Sequence, residues 1–362
     1  MIAPDHIRAI APYQPGKPIA ELAREMGLAE ADIVKLASNE NPLGVSPKAR
    51  AAIAGSLDAL ALYPDGNGYE LKSAIARKYG VGLDQIVLGN GSNDVLELAA
   101  RALLTPGTSA VYAQHAFAVY PLVTQACGAT GIEAKAKHFG HDLGAMRAAL
   151  RPDTRIVFIA NPNNPTGTLL GAEELRGFLE AVPAEVLVVL DEAYVEFLPE
   201  ARRTPSLDWL KAFPNLLISR TFSKAYGLAG LRVGFALAQP EVADLLNRVR
   251  QPFNVNSLAL KAAAAALDDH AFLAESKRVN DAGRAQLTAG FERLGLDYIP
   301  SWGNFVAVRV GEAGKVFQGL LKKGVIVRPV ANYGMPDYLR ISIGLPEQNA
   351  RCLAALQEVL AE

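Results

Sequence analysis

Val186-Leu187-Val188-Val189-Leu190-Asp191-Glu192-Ala193-Tyr194 is apolar at five successive positions and then turns abruptly acidic. A short apolar run closed by polar residues reads as a strand. Because every position is apolar, rather than alternate ones, both faces of that strand must be covered. Two other stretches share the design. Ile156-Val157-Phe158-Ile159-Ala160 stops at Asn161-Pro162-Asn163-Asn164-Pro165-Thr166-Gly167, and Leu216-Leu217-Ile218 stops at Ser219-Arg220-Thr221-Phe222-Ser223-Lys224. Val233 to Leu237 makes a fourth run. Helical patterns lie between them. The expectation is an α/β fold with a mostly parallel sheet sandwiched by helices, whose strands carry ligand-binding residues at their carboxyl ends.

Upstream, Ile86-Val87-Leu88 leads into Gly89-Asn90-Gly91-Ser92-Asn93-Asp94 and then a helical pattern from Val95. Strand, glycine turn and helix leave free backbone N–H groups where a phosphate sits well, although a plain capped helix start also accounts for the pattern. Asp94 occupies the place of the third glycine of a dinucleotide fingerprint, which argues against a nicotinamide site. Ser38-Asn39-Glu40-Asn41-Pro42-Leu43-Gly44 reads either as a set of Asx turns or as a ligand contact, with Asn39 the candidate on the substrate side. Turn chemistry explains Pro64-Asp65-Gly66-Asn67-Gly68 but not Tyr63 before it. Four prolines mark an extended arm in residues 1–30, ahead of a short helix Ile19 to Met26 and a strand candidate Ile33 to Leu36. Beyond Gln251-Pro252-Phe253-Asn254 the pattern becomes two helices, Ser257 to Leu267 and Phe272 to Leu294. Short strands follow at Phe305 to Val310, Val325 to Arg328 and Leu339 to Ile343, and then a last helix. We therefore expect an arm and first strand in 1–45, a large α/β domain in 46–250 and a smaller α+β domain in 251–362.

With 36 Lys+Arg against 37 Asp+Glu, the net charge of −1 offers no footprint for nucleic acid or an anionic membrane, so the expected partners are small molecules. Cys127 and Cys352 stand far apart, which indicates neither a disulfide framework nor a zinc site. The five histidines lack metal-ligand spacing, and His138 with His141 reads as a surface pair, so no metal is expected. The N-terminus has no apolar core of signal-peptide length and no run is long enough to span a membrane, which points to a cytoplasmic protein.

Lys224 follows a buried strand and lies between the hydroxyls of Thr221 and Ser223 and the guanidinium of Arg232. Lost hydration favours a neutral amine, which condenses with an aldehyde to a Schiff base, while hydroxyls and arginine suit a phosphate. An exposed loop lysine would explain Lys224 alone. The other strand ends change the balance, because jointly they match pyridoxal phosphate (PLP). Asp191 can keep the pyridinium proton, Asn164 and Tyr194 can donate to the ring oxygen, Phe117 can stack on the ring, and the Ser92 and Asn93 N–H groups can join the phosphate donors.

Asn164-Pro165-Thr166-Gly167, Asp191-Glu192-Ala193-Tyr194 and Ser223-Lys224 with Arg232 resemble the fold type I PLP aminotransferases of the aspartate aminotransferase superfamily. The longer motifs Ser38 to Gly44, Arg220 to Arg232 and Tyr338-Leu339-Arg340-Ile341-Ser342-Ile343-Gly344 resemble histidinol-phosphate aminotransferases, and the resemblance runs from Pro12-Tyr13 to the last helix. It implies a homodimer with shared active sites, in which Tyr63 reaches the cofactor phosphate of the opposite subunit. It also implies Tyr13, Arg328 and Arg340 around the substrate's anionic end. One departure is Phe117, where many relatives carry tyrosine. The implied reaction, through Lys224, interconverts histidinol phosphate plus 2-oxoglutarate with imidazole acetol phosphate plus glutamate, a step of histidine biosynthesis. Two alternatives keep the cofactor: an aminotransferase for phenylalanine or tyrosine, and a decarboxylase of a phosphorylated amino acid. An aminotransferase-like effector domain of a transcription regulator would need a DNA-binding module, and the arm before residue 30 is too short and not basic.

Overall fold

In the computed structural model, which describes residues 2–362, the apolar runs form the middle of one seven-stranded sheet. In chain order the strands are β1 (Val34–Lys35), β2 (Ile86–Gly89), β3 (Ser109–Ala113), β4 (Thr130–Ala134), β5 (Thr154–Ala160), β6 (Leu187–Asp191), β7 (Leu216–Thr221), β8 (Gly234–Ala238), β9 (Tyr298–Ile299), β10 (Phe305–Arg309), β11 (Val325–Ile326), β12 (Arg328–Pro329) and β13 (Tyr338–Ser342). The large sheet has the order β2-β8-β7-β6-β5-β3-β4. Its members β4, β3, β5, β6 and β7 pair in parallel, as the fully apolar runs lead one to expect.

The fourth run corrects one detail. β8 is antiparallel to both of its neighbours, β2 and β7. A parallel return needs a crossover that covers the sheet, and the segment 222–233 holds only the 3₁₀ turn Ala229–Leu231. The run is apolar throughout because β8 lies inside the sheet with both faces buried, a property that does not depend on strand direction.

A second, antiparallel sheet has the order β12-β13-β10-β9 and its own core, which includes Leu287, Phe291, Val306, Val308, Leu339, Ile341 and Leu356. Val325 to Arg328, which reads as one strand, is divided: β11 pairs in parallel with β1, and β12 pairs with β13. The arm is thereby sewn onto this C-terminal body. The Leu36 N–H donates to the Ile326 carbonyl at 2.7 Å, and the Ser342 N–H donates to the Leu36 carbonyl at 2.8 Å. Helix Ser257–Leu267 packs on helices Pro47–Ala54 and Tyr69–Tyr79, and its Ala259, Ala263 and Leu267 belong to the core around the large sheet. Among the described residues no helix is long and apolar enough to cross a membrane. His141 is not at the surface as expected: it is buried, and its Nε2 accepts from the Ala160 N–H at 3.3 Å, which closes the end of β5.

Candidate active site

Adjacent parallel strands end at the same level, so the polar residues that stop β5, β6 and β7 come together at one edge of the sheet. There they line a cavity of about 250 Å³ with Ser92, Asn93, Phe117, Asn164, Asp191, Tyr194, Thr221, Ser223, Lys224 and Arg232. Tyr13, Asn39, Arg328 and Arg340 line it as well, from the arm and the C-terminal body. Of the candidate residues only Tyr63 lies elsewhere: it is 83% exposed and stacks on Phe253, with ring centroids 4.9 Å apart.

Asp191 is buried at the end of β6. Its Oδ2 accepts from the Tyr120 hydroxyl at 3.0 Å, while its Oδ1 has no hydrogen-bond partner. Burial raises its pKa from 3.8 to about 6, against the lowering effect of the Tyr120 hydrogen bond. Lys224 is partly buried, and its Nζ donates to the Ser38 carbonyl at 3.2 Å. Burial first, then the nearby positive charge of Arg340 and Arg232, lowers its pKa from 10.5 to about 8. Burial likewise lifts Tyr194 to about 12. The Tyr194 hydroxyl accepts from Asn39 Nδ2 at 3.0 Å, which leaves its own proton free to be donated.

Asn39 is buried with a backbone φ of 53°, unusual for a non-glycine residue. The C-terminal body over-determines it: Asn39 N donates to the Ser342 hydroxyl at 2.8 Å, the same hydroxyl donates to Asn39 Oδ1 at 3.0 Å, and Asn304 Nδ2 donates to the Asn39 carbonyl at 2.9 Å. Arg340 donates to Asn164 Oδ1 at 2.6 Å and to the Ala37 carbonyl at 2.7 Å, and its buried Nε is left unpaired. Since Asn164 Oδ1 is an acceptor here, the Asn164 amide N–H groups are free for a ligand. Arg328 is buried with its guanidinium 5.4 Å from the Tyr13 ring centroid.

At the other end of the cavity, helix Ser92–Leu103 begins after Gly91, whose φ is 84°. A Cβ at Gly91 would run into the Arg232 guanidinium, and one at Gly234 would meet the Ser92 N and the Arg220 carbonyl. These two glycines let the helix N-terminus and Arg232, itself at a φ of 56°, share one small space. The Thr221 hydroxyl accepts from the Ser223 N–H at 3.1 Å, so its proton too is available.

Sequence reasoning missed Tyr120 and the role of the Ser38 backbone. Tyr120 carries a signal in retrospect. It belongs to an apolar helix, Val119–Ala126, and a wholly buried tyrosine needs a partner for its hydroxyl. Ser38 contributes a backbone carbonyl, which no side-chain pattern announces.

The model of the family described as aminotransferase class I and II matches residues 31–356. A histidinol-phosphate aminotransferase of Methylobacillus flagellatus is 65% identical over 99% of this chain and 97% of its own length, and histidinol-phosphate aminotransferase 1 of Thiobacillus denitrificans is 65% identical over 99% and 94%. The chain belongs to the class I and II aminotransferases, in the histidinol-phosphate aminotransferase family. A solved aminotransferase of the same name, from Sinorhizobium meliloti in complex with pyridoxal-5′-phosphate, superposes with a TM-score of 0.91 at 29% identity, covering 99% of this chain and 97% of the other. The likeness in fold therefore extends over nearly the whole length of both chains.

Proposed function

We propose that the chain is a PLP-dependent aminotransferase that moves an amino group between histidinol phosphate and 2-oxoglutarate in histidine biosynthesis. The observation that carries this reading is the buried, unpaired Oδ1 of Asp191 in the same cavity as Lys224, whose pKa burial lowers to about 8, and two buried arginines. An orphaned buried carboxylate oxygen is expensive unless a donor arrives, and a protonated pyridine nitrogen is such a donor. The remaining fit follows the same logic. The Ser92 and Asn93 N–H groups, the Thr221 and Ser223 hydroxyls and Arg232 suit the phosphate; Tyr194 and Asn164 suit the ring oxygen; Phe117 suits the ring face.

When bound, PLP supplies an aldehyde for amine exchange and a ring that withdraws electrons from the substrate's Cα. Lys224, with its pKa near 8, removes the proton from the Cα of the amino donor and returns one to the same atom in the reverse half-reaction. Asp191 holds the ring's positive charge in place. Arg340 and Arg328, with Tyr13 and Asn39, bind the substrate's anionic end, a carboxylate in one half-reaction and a phosphate ester in the other. Two guanidiniums suit a phosphate better than a carboxylate.

The active unit of this reading is a homodimer with shared sites. It is supported by the position of Tyr63 outside its own cavity, within an exposed apolar stretch that includes Leu57, Leu60, Leu62 and Tyr69. Within each chain we take the large body to continue through Leu267, given the packing of that helix, with the arm tied to the C-terminal body. The composition and the small-molecule chemistry support a cytoplasmic setting. Single-turnover assays with histidinol phosphate, glutamate and phenylalanine test the proposal. Histidinol phosphate and glutamate are expected to react fastest, and preferential turnover of phenylalanine, or release of carbon dioxide, would overturn it.

A further inference from the structure

Phe253 and Asn254 lie in the loop between helices Pro240–Val249 and Ser257–Leu267, and neither lines the cavity. Asn254 Nδ2 donates to the Leu88 carbonyl at 3.0 Å and to Asp94 Oδ2 at 2.7 Å, and Asn254 Oδ1 accepts from Arg250 at 2.8 Å. Asp94 Oδ2 also accepts from the Asn90 N–H at 2.8 Å. This amide therefore clamps the end of β2 to the first turn of helix Ser92–Leu103, bracketing the glycine turn that presents Ser92 and Asn93. Both of its amide hydrogens and its oxygen are engaged, so its orientation is fully determined.

Phe253 has a φ of 55°, a conformation that a bulky aromatic residue rarely adopts. Burial does not explain it, because the residue is 46% exposed. The ring lies against Tyr63, at an interplanar angle of 25°, and would touch a Cβ at Gly66. The Tyr63 loop is stiff on its other side: Asp65 accepts from the N–H groups of Asn67 at 2.9 Å and Tyr69 at 2.7 Å. Strain held at a residue with so little burial calls for a purpose outside the packing of this one chain.

We propose that Phe253-Asn254 is a brace with two working faces, in which Asn254 holds the phosphate-binding turn of its own subunit while Phe253 holds Tyr63 in the posture that serves the partner subunit's site. The second face rests on the homodimer reading given above. These are positioning residues; neither touches the cofactor. One dipeptide then ties the two phosphate sites of the dimer to each other.

Titration of the cofactor-stripped, full-length protein tests the first face. Asn254→Ala is expected to weaken PLP about tenfold, the effect of one hydrogen bond to a charged group, while leaving the affinity for pyridoxal, which lacks the phosphate, within about twofold. Equal losses for both, or no loss for PLP, would overturn it. If Asn254→Ala does not fold, Asn254→Asp keeps the shape, sets a carboxylate against Asp94, and should give the same split. For the second face, Phe253→Gly removes the ring and relieves the backbone, so a purely structural role predicts no loss. Two heterodimers then separate the sites. When Lys224→Ala and Phe253→Gly share one chain opposite a wild-type chain, the only competent site receives Tyr63 from the altered chain, and cofactor release should accelerate about tenfold. When Lys224→Ala and Phe253→Gly are on opposite chains, release should match wild type, and Phe253→Tyr should behave as wild type in either arrangement. A defect in the second pairing rather than the first, or in neither, would overturn this face. A monomer on sedimentation would instead overturn the dimer reading, leaving the Asn254 result to stand by itself.

Discussion

Two carboxylates leave the end of β6 side by side and meet opposite surroundings. Behind the sheet, Glu192 is closed off: Oε1 accepts from the Thr204 hydroxyl at 2.9 Å, and Oε2 accepts from Arg220 Nε and a terminal nitrogen at 3.0 and 2.6 Å. Arg220 in turn lies over the Tyr79 ring, and although burial lowers its pKa, Glu192, Tyr79 and Glu196 together outweigh that and raise it. Toward the cavity, Asp191 has one partner and one empty oxygen, and its pKa is pushed up to about 6. A satisfied buried charge holds the fold together. An unsatisfied one costs stability until a ligand supplies what is missing, and Lys224, pushed down to about 8, is in the same position with the opposite sign.

If that distinction is real, variants on the open side should remove chemistry and spare the fold. Lys224→Ala should reduce turnover by about ten-thousandfold or more, since both the covalent and the proton-transfer roles are lost. Lys224→Met isolates the electrostatics. The folded pKa of about 8 lies below the ordinary 10.5, so the unfolded chain binds more protons between those values. The cost of Lys224 is then fully present below pH 8 and is relieved as pH rises toward 10.5, and the stability difference between the cofactor-free methionine variant and wild type should follow that slope. Turnover of Lys224→Ala within tenfold of wild type would erase the distinction.

The closed side should respond in the reverse order. Arg220→Ala leaves Glu192 buried without its ion pair and should cost about 3–5 kcal/mol in denaturant unfolding. Arg220→Met with Glu192→Gln should recover much of that, because the uncompensated charge is gone. A loss confined to activity, with unfolding unchanged, would place the pair in the chemistry instead.

Asp191→Asn sharpens the contrast because it should move activity and stability in opposite directions. Turnover should fall by about a hundredfold, the cost of a lost charge-assisted hydrogen bond. The cofactor-free variant should nevertheless be the more stable at neutral pH, by on the order of 2 kcal/mol. Here the folded pKa of about 6 exceeds the ordinary 3.8, so the native state binds more protons between those values and loses stability as pH rises through them. The advantage of asparagine should therefore be full above pH 6 and disappear toward pH 4. Thermal melts across that range check it, and a wild-type lead at pH 7 would contradict it.

The two buried arginines of the cavity should show the smallest effects. Arg340→Ala should cost ten- to a hundredfold in both half-reactions, at roughly 1.5–3 kcal/mol for one charge-assisted hydrogen bond. Arg328→Ala should cost about tenfold with histidinol phosphate and less with glutamate. Equal losses on both substrates would remove Arg328 from phosphate recognition.

The amino-acid sequence by itself determined the central sheet and most of the floor of the site. Runs such as Ile156–Ala160 and Val186–Leu190 require burial on both faces, and polar residues interrupting them can only stand at their ends. Neighbouring parallel strands then bring Asn164, Asp191 and Lys224 to one edge without further information. What local pattern could not decide are relations between distant segments. The direction of β8 depends on the connection 222–233, which has no crossover helix. The division of Val325 to Arg328 between β1 and β13 depends on where the arm docks, and the burial of His141 depends on the end of β5. Tertiary structure alone bonded Tyr120 to Asp191, aimed the Ser38 carbonyl at Lys224, and forced Asn39 and Arg232 to positive φ. The physical reason is one of range: covalent spacing sets which faces a strand or helix presents, whereas hydrogen bonds and pKa values at a site depend on groups up to about 300 residues apart in the chain, as between Asn39 and Ser342.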